Sequence, residues 1–307
     1  MITDSYHLWA ISLPNATWIT EFSDVTPSMN AKYIDGFSPG GLVPDFRGGH
    51  GLEPRIDFST PQLKTILDAC GLDAYDASGG NVDLYYQKDV NLGTRLSEND
   101  ESHLRLRYLR SMLTWDRITA SQGSTAEISC SLVPTFLANV PLTPETGVPM
   151  PSNAALGSEY FGLGPVKCNG DFIGGISDNT LALGAALNTQ AADGEDFPSF
   201  AGIGQMNPMI TPTTASLENW EALGVDGVLL TSWSCYFRRK KPDLPISYAD
   251  GDQQHIKFSG GSGLWTIDSS SGGLGAGPAA AQLRIAPRRG APSDIHVMSL
   301  STASAIT

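Results

Sequence analysis

The chain is poor in charge and poorer in cations. Charged residues make up 17% of its 307 positions, with 19 Lys and Arg against 32 Asp and Glu, a formal net charge of −13. Soluble domains average roughly 25% charged residues. An acidic surface repels phosphate, which excludes a nucleic-acid binder working through a basic face. It leaves room for a surface past which DNA slides without sticking. Cysteine is also scarce: Cys70, Cys130, Cys168 and Cys235 form no CxxC pair. Reduced thiols in a cytosolic protein are expected, not a disulfide framework or a zinc site. No apolar run approaches the roughly 20 residues of a membrane helix. Met1 to Pro14 has neither the basic start nor the apolar run of a signal peptide, so the Asn15-Ala16-Thr17 sequon carries no weight. The spacings GxxxxGK[ST], HExxH and GxSxG are all missing.

Glycine and proline are plentiful, at 33 and 20 residues, which implies many turns and short strands. With 41% hydrophobic residues, a chain of this length can build two ordinary cores.

A repeat organises the sequence. Trp18-Ile19-Thr20-Glu21-Phe22-Ser23-Asp24 aligns with Phe172-Ile173-Gly174-Gly175-Ile176-Ser177-Asp178. The same register brings Pro44-Asp45-Phe46 onto Pro198-Ser199-Phe200, and Pro54, Ile56, Thr60 and Leu63 onto Pro208, Ile210, Thr214 and Leu217. After one-residue gaps, Gly71 and Asp73 match Gly224 and Asp226. Leu84-Tyr85-Tyr86-Gln87-Lys88 matches Cys235-Tyr236-Phe237-Arg238-Arg239, and His103-Leu104-Arg105-Leu106 matches His255-Ile256-Lys257-Phe258. Trp115 and Gly123 fall on Trp265 and Gly273; Ala126, Leu132 and Pro134 fall on Ala279, Ile285 and Pro287. The offset stays near about 150 in unbroken order, which marks an internal duplication. The expected organisation is a first β domain at 1–136, a Pro/Gly-rich linker or arm at 137–168, a second β domain at 169–288, and a Ser/Thr/Ala-rich tail at 289–307.

Each copy holds one helix signal. Thr60 is placed to cap and Pro61 to open a helix whose stripe is Leu63, Ile66, Leu67 and Cys70, stopped by Gly71. In the second copy Thr214 caps, Leu217, Trp220 and Leu223 form the stripe, and Gly224 stops it. Strand periodicity surrounds the helices: Leu104, Leu106 and Tyr108 alternate with Arg105 and Arg107, and Ala126, Ile128, Cys130 and Leu132 with Glu127, Ser129 and Ser131. The fold class expected is mainly β: two tandem sandwich-like or barrel-like domains, each with one flanking helix.

Candidate chemistry is thin. Of five histidines, only His103 and His255 correspond between copies, and both begin a strand, which favours a structural role over catalysis. Asp76 to Asp83 has a calcium-loop flavour but lacks the spaced ligands and final Glu; a solvated turn fits better. The matched acids Asp24/Asp178 and Asp73/Asp226 lack the Thr-Gly or Ser-Gly that follows the paired acids of bilobed aspartic proteases. Asp24 and Asp178 read as turn residues bonded to their own backbone. Arg238-Arg239-Lys240-Lys241 is the one basic run; it suits a solvated strand end or a salt-bridge patch more than phosphate. Trp115/Trp265 and Tyr85/Tyr236 are matched aromatics of the kind a duplicated carbohydrate-binding sandwich would expose, although strand alternation places most of them in the core. No catalytic, cofactor or metal site is assigned.

The run Glu53-Pro54-Arg55-Ile56-Asp57-Phe58-Ser59-Thr60-Pro61-Gln62-Leu63, the strand Leu84-Tyr85-Tyr86-Gln87-Lys88, and Thr114-Trp115-Asp116-Arg117-Ile118-Thr119-Ala120-Ser121-Gln122-Gly123 resemble virion proteins of tailed bacteriophages. The two-copy architecture is similar to the two-domain tail tube proteins of long-tailed phages. That resemblance implies β-sandwiches whose inner strands close into one barrel. Three chains would form a pseudo-hexameric ring, rings would stack, and DNA would pass through an acidic lumen in transit. It implies a virion protein made in the host bacterial cytoplasm. Its partners would be itself and other tail proteins such as tape measure, terminator and distal tail proteins. It implies no enzyme activity, cofactor or membrane. Asp89 to Glu101 and Pro242 to Gln254 are the candidate inter-subunit arms. A distal tail, baseplate or capsid decoration protein, a carbohydrate-binding module, and an enzyme with an unfamiliar site are the rival classes.

Overall fold

The computed structural model describes residues 6–28, 31–36, 46–77, 79–88, 103–135, 143–149, 159–191, 197–215, 227–242, 244, 246–271, 280–290 and 296–307. Twelve strands and one helix come first: β1 (Tyr6–Ser12), β2 (Trp18–Ile19), β3 (Asp24–Ser28), β4 (Ala31–Gly36), β5 (Phe46–Leu52), β6 (Arg55–Thr60), α1 (Leu63–Cys70), β7 (Tyr75–Asp76), β8 (Val82–Lys88), β9 (His103–Tyr108), β10 (Arg110–Ser121), β11 (Glu127–Thr135) and β12 (Thr143–Val148). Twelve more follow: β13 (Phe161–Cys168), β14 (Asp171–Phe172), β15 (Ile176–Ala182), β16 (Ala185–Gln190), β17 (Phe200–Met206), β18 (Met209–Thr214), β19 (Val228–Leu230), β20 (Trp233–Arg239), β21 (His255–Gly260), β22 (Gly263–Ser271), β23 (Ala280–Pro287) and β24 (Ser299–Ser304). The protein is mainly β, as its periodicity requires.

The two sets are paired identically. One outer sheet runs β12-β9-β8-β1-β2 and the other β24-β21-β20-β13-β14. The inner strands run β7-β10-β11-β6-β3 in the first copy and β19-β22-β23-β18-β15 in the second. The hairpins β4–β5 and β16–β17 stand apart, and their register slips at the same step, Lys32/Tyr33 in one and Ala186/Leu187 in the other. All these pairings are antiparallel. A repeat that survives to the position of a bulge reflects one ancestral backbone.

Local chemistry explains the elements. In β6, Ile56, Phe58 and Thr60 are buried while Arg55, Asp57 and Ser59 point away, the period of a half-buried strand. In α1, Leu63, Ile66, Leu67 and Cys70 are the buried stripe, as their spacing predicts. The start differs from expectation: Gln62 is the N-cap residue, and Thr60 ends β6, where its hydroxyl accepts from the Gln62 amide at 3.2 Å. Strand pairing with Ile128 claims Thr60 before the helix does. Gly71 follows the helix at φ +61°, a conformation costly for any side chain, and donates to Leu67 O at 2.8 Å. The second expected helix, over Leu217 to Leu223, lies outside the described residues.

One core serves both copies. Trp115 is fully buried, donates from Nε1 to Gly71 O at 3.0 Å, and meets Phe258 of the second copy edge-on at 5.9 Å. The span 137–168, expected as linker, contributes β12 to the first outer sheet and β13 to the second. The span 289–307, expected as a tail, contributes β24, the counterpart of β12. The sequence hides β12 and β24 because Thr143–Val148 contains Pro and Gly, and four of the six residues of Ser299–Ser304 carry hydroxyls; both are edge strands, where burial demands little.

Candidate functional site

The feature that sets this fold apart is a joint. The inner sheets of the two copies are one continuous sheet, sewn where β10 pairs with β15. Arg117, Ile118, Thr119, Ala120 and Ser121 lie opposite Ala182, Leu181, Thr180, Asn179 and Asp178. The joint is well satisfied. Asp178 accepts from the Thr213 hydroxyl at 2.7 Å and the Ser177 hydroxyl at 3.0 Å, and the Gln122 amide donates to Ser177 O at 2.8 Å. Ile118 and Leu181 are fully buried beneath it.

Each element of the joint has a twin, and the twins stand at the two ends of the chain's inner sheet. β15 corresponds to β3, and β10 to β22. On the edge of β10, β7 takes Met112 and Leu113, leaving Arg117 to Ser121 for β15. On the edge of β22, β19 takes Gly263 to Trp265, and among the described residues nothing pairs with the same edge beyond them. Among the described residues β3 pairs only with β6. Among the described residues, therefore, the joint occurs once, complete, and its two halves occur again, open. Free sheet edges offer unpaired N–H and C=O groups to another chain.

The face of the inner sheet turned away from the core is rich in hydroxyls. Strand register places Thr26, Ser59, Ser129, Thr119, Thr180, Thr211 and Thr213 on it. Its charges are Asp24, Asp57, Asp76, Glu127 and Asp178, with Asp116 and Asp268 in matching bulges, against Arg55, Arg110, Arg117 and Arg284. Arg55 is engaged with Asp57 at 2.7 Å and the Ser131 hydroxyl at 2.8 Å. The described part of this wall is thus acidic on balance.

The residues singled out from sequence are dispersed. Asp24 and Asp178 lie in strands, not turns; they share the inner face but stand apart, with β6, β11 and β10 between them. At roughly 4.8 Å per strand they cannot share a proton. Asp226 lies outside the described residues. Asp83 receives two hydrogen bonds from Arg107, at 2.8 and 2.9 Å, which satisfies it without a metal. Among the described residues no group of acids, histidines or thiols is arranged to hold a metal ion.

His255 is buried; its Nδ1 accepts from the Arg239 amide at 3.1 Å and its Nε2 donates to Ala249 O at 2.9 Å, a structural role. His103 is buried at the equivalent place. Three residues of the basic run are engaged internally: Arg238 binds Asp250, Arg239 reaches Glu159 at 2.8 Å, and Lys241 sits over Tyr248 at 5.7 Å. Trp115, Tyr85 and Tyr236 are buried and Trp265 nearly so. The matched tryptophans are also not structural equivalents. Trp115 pairs with Cys130, whereas Trp265 pairs with Ile285, the twin of Leu132, so Ile267 holds the place of Trp115. All four thiols are free and buried, and burial pushes Cys70, Cys168 and Cys235 up to about 12. Asp89 to Glu101 lies outside the described residues. Of Pro242 to Gln254, the described residues are hydrogen-bonded in turns and expose Leu244 and Ile246; Asp243 and Pro245 lie outside the described residues.

The joint was missed from sequence because β-edge pairing leaves no motif. Its one legible trace is alternation through Ile118, Ala120 and Leu181, which says "strand" without naming the partner. Compared with protein-family models and with curated proteins, the chain matches none.

Proposed function

We propose that this chain is a structural virion protein that assembles head to tail with copies of itself, forming the tube of a long-tailed phage. The observation that supports this reading is the joint, complete once within the chain and open at both ends. Three chains, each bringing two copies, make a pseudo-hexameric ring when β22 of one chain pairs with β3 of the next. By the repeat, Ser269 then faces Ser28 and Ser271 faces Thr26, as Arg117 faces Ala182 and Thr119 faces Thr180 within the chain. A heterologous contact of this kind closes into a ring when its rotation divides the circle. Pro27 sits at the open edge, and a proline there suits a strand that must stay unpaired until its partner arrives.

The acidic, hydroxyl-rich inner face becomes the lumen wall. Carboxylates repel passing phosphate, and hydroxyls offer only weak contacts, so DNA slides without sticking. Stacked rings would then meet tape measure, terminator and distal tail proteins at the tube's ends. A baseplate ring uses the same joint but stops at one layer. The buried Trp115, Tyr85 and Tyr236 leave a carbohydrate-binding module without its matched aromatic platform.

Electron microscopy of the purified protein, with solution mass on the same sample, tests the reading. Rings of three chains with six-fold-like density, alone or stacked into tubes, are the expected result. A chain that stays at 32.6 kDa at every concentration, without particles, overturns it.

A further inference from the structure

The joint involves more than paired edges, because a hairpin crosses it. β17 packs against β11 of the first copy, and the Thr189 hydroxyl of β16 donates to a Glu53 carboxylate oxygen at 3.2 Å. Ala185 and Met206 anchor the base of this hairpin on the shared core. Gly184 permits the sharp departure: its φ is +60°, and a Cβ there would lie 2.4 Å from Asn207 O. On the strand that β17 touches, Ser131, Leu132, Val133, Pro134 and Thr135 are all buried, a strand covered on both faces.

The twin strand is covered on one face only. Arg284, Ala286 and Pro287 are partly open and Arg288 exposed. The contrast extends to the neighbouring strand, where Met112 is 6% exposed and its twin Leu264 is 39% exposed. Leu264 lies beside Leu229 of β19, which is also exposed, so an apolar strip runs from β22 onto β19, next to the part of the β22 edge that β19 leaves open. The twin of the covering hairpin is β4–β5, whose strands pair only with each other in the described sheets.

We infer that β4–β5 of one chain lies over β22–β23 of the next, covering Leu264, Arg284 and Ala286 as β16–β17 covers the first copy. The partner is a second copy of this chain. The inference rests on the head-to-tail joint proposed above and adds a clasp to it, one that buries an apolar strip no free chain can cover by the same means. Asp35 is the twin of Thr189, and Asn207 the twin of Glu53. The two should therefore meet across the chain boundary.

Cross-linking of the full chain tests this. Asp35→Cys and Asn207→Cys are made as separate proteins, mixed, assembled and treated with a short bismaleimide. The four native thiols are buried, so background reaction is small. Thr189→Cys with Glu53→Cys in one chain is the internal control, expected to close within one chain, adding the mass of one linker and giving no two-chain product. The expected result is a covalent two-chain product in the mixture and none with either variant alone. Assembled particles that yield no mixed product, while the control closes, overturn the clasp and leave the joint standing. Monomers that neither assemble nor cross-link overturn both.

Discussion

The strands β10–β11 and β22–β23 have equivalent partners within their own copies, the same bulge and the same place, yet they live in different surroundings. In the first copy Trp115 is fully buried and seated on Phe258, and Met112 is covered. In the second, Ile267 stands in place of Trp115 at 37% exposure, and Leu264 in place of Met112. The first pair has the second copy as its neighbour; the second pair ends in an open edge. The difference teaches that burial here is set by position along a chain of copies, not by the strand's own composition. The outer sheets differ in a parallel way. Arg105 and Arg107 on the first meet Asp83 and Glu145, whereas their twins Lys257 and Ser259 meet Tyr236 and Ser299, so ion pairs give way to a cation–π contact and hydroxyl bonds.

Removing the side chains that hold the twin positions sharpens this contrast most. Trp115→Ala should cost about 3–5 kcal/mol in denaturant unfolding, from lost burial and an emptied cavity. Ile267→Ala should cost less, about 1–2 kcal/mol in the free chain, since its side chain is 37% exposed there. Equal losses would mean that the second edge is already covered.

Alkaline titration comes next. The folded thiols of Cys70, Cys168 and Cys235 sit near 12 against an ordinary 9.0, because burial disfavours the thiolate. A folded value raised above the unfolded one gives stability that is complete below pH 9 and is lost as pH rises toward 12. Unfolding midpoints should fall across that window, and thiol reagents at pH 8 should label the folded chain only slowly. Fast labelling of all four cysteines in the folded chain would contradict the shared core.

Within the joint, Thr213→Ala removes the 2.7 Å bond to Asp178 and should cost about 1 kcal/mol. Its twin position, Ser59, faces Asp24 at the open edge, so Ser59→Ala should change the free chain's stability by less. Equal costs would show that the completed joint adds nothing at this site.

The smallest effect tests the register of the proposed head-to-tail joint. In that joint Thr26→Asp combined with Ser271→Asp places like charges opposite each other and should weaken assembly by about 0.2–1 kcal/mol per contact, with Thr26→Asp and Ser271→Lys restoring it. Sedimentation against protein concentration reads the difference. Additive effects of the two changes would mean that these positions do not meet.

How much of this was legible follows from what each interaction leaves in the chain. The duplication, the mainly β class, the stripe of α1 and the burial of Ile128, Cys130 and Leu132 were readable, because apolar periodicity and turn glycines are local signals. The alignment of Trp115 with Trp265 misled, because side-chain identity can drift by two positions along a strand while the pairing holds. β12 and β24 were hidden in segments read as linker and tail, since edge strands need little hydrophobic pattern; β13 lies between β14 and β20, and its Gly162, Gly164 and Pro165 masked its alternation. The sequence by itself determined which residues alternate inward, and hence that the chain folds as repeated sheets. Only the tertiary structure decided which edges meet. Backbone hydrogen bonding between strands is blind to side-chain identity, so the joint at β10 and β15, and the two open halves of that joint, are written in no motif.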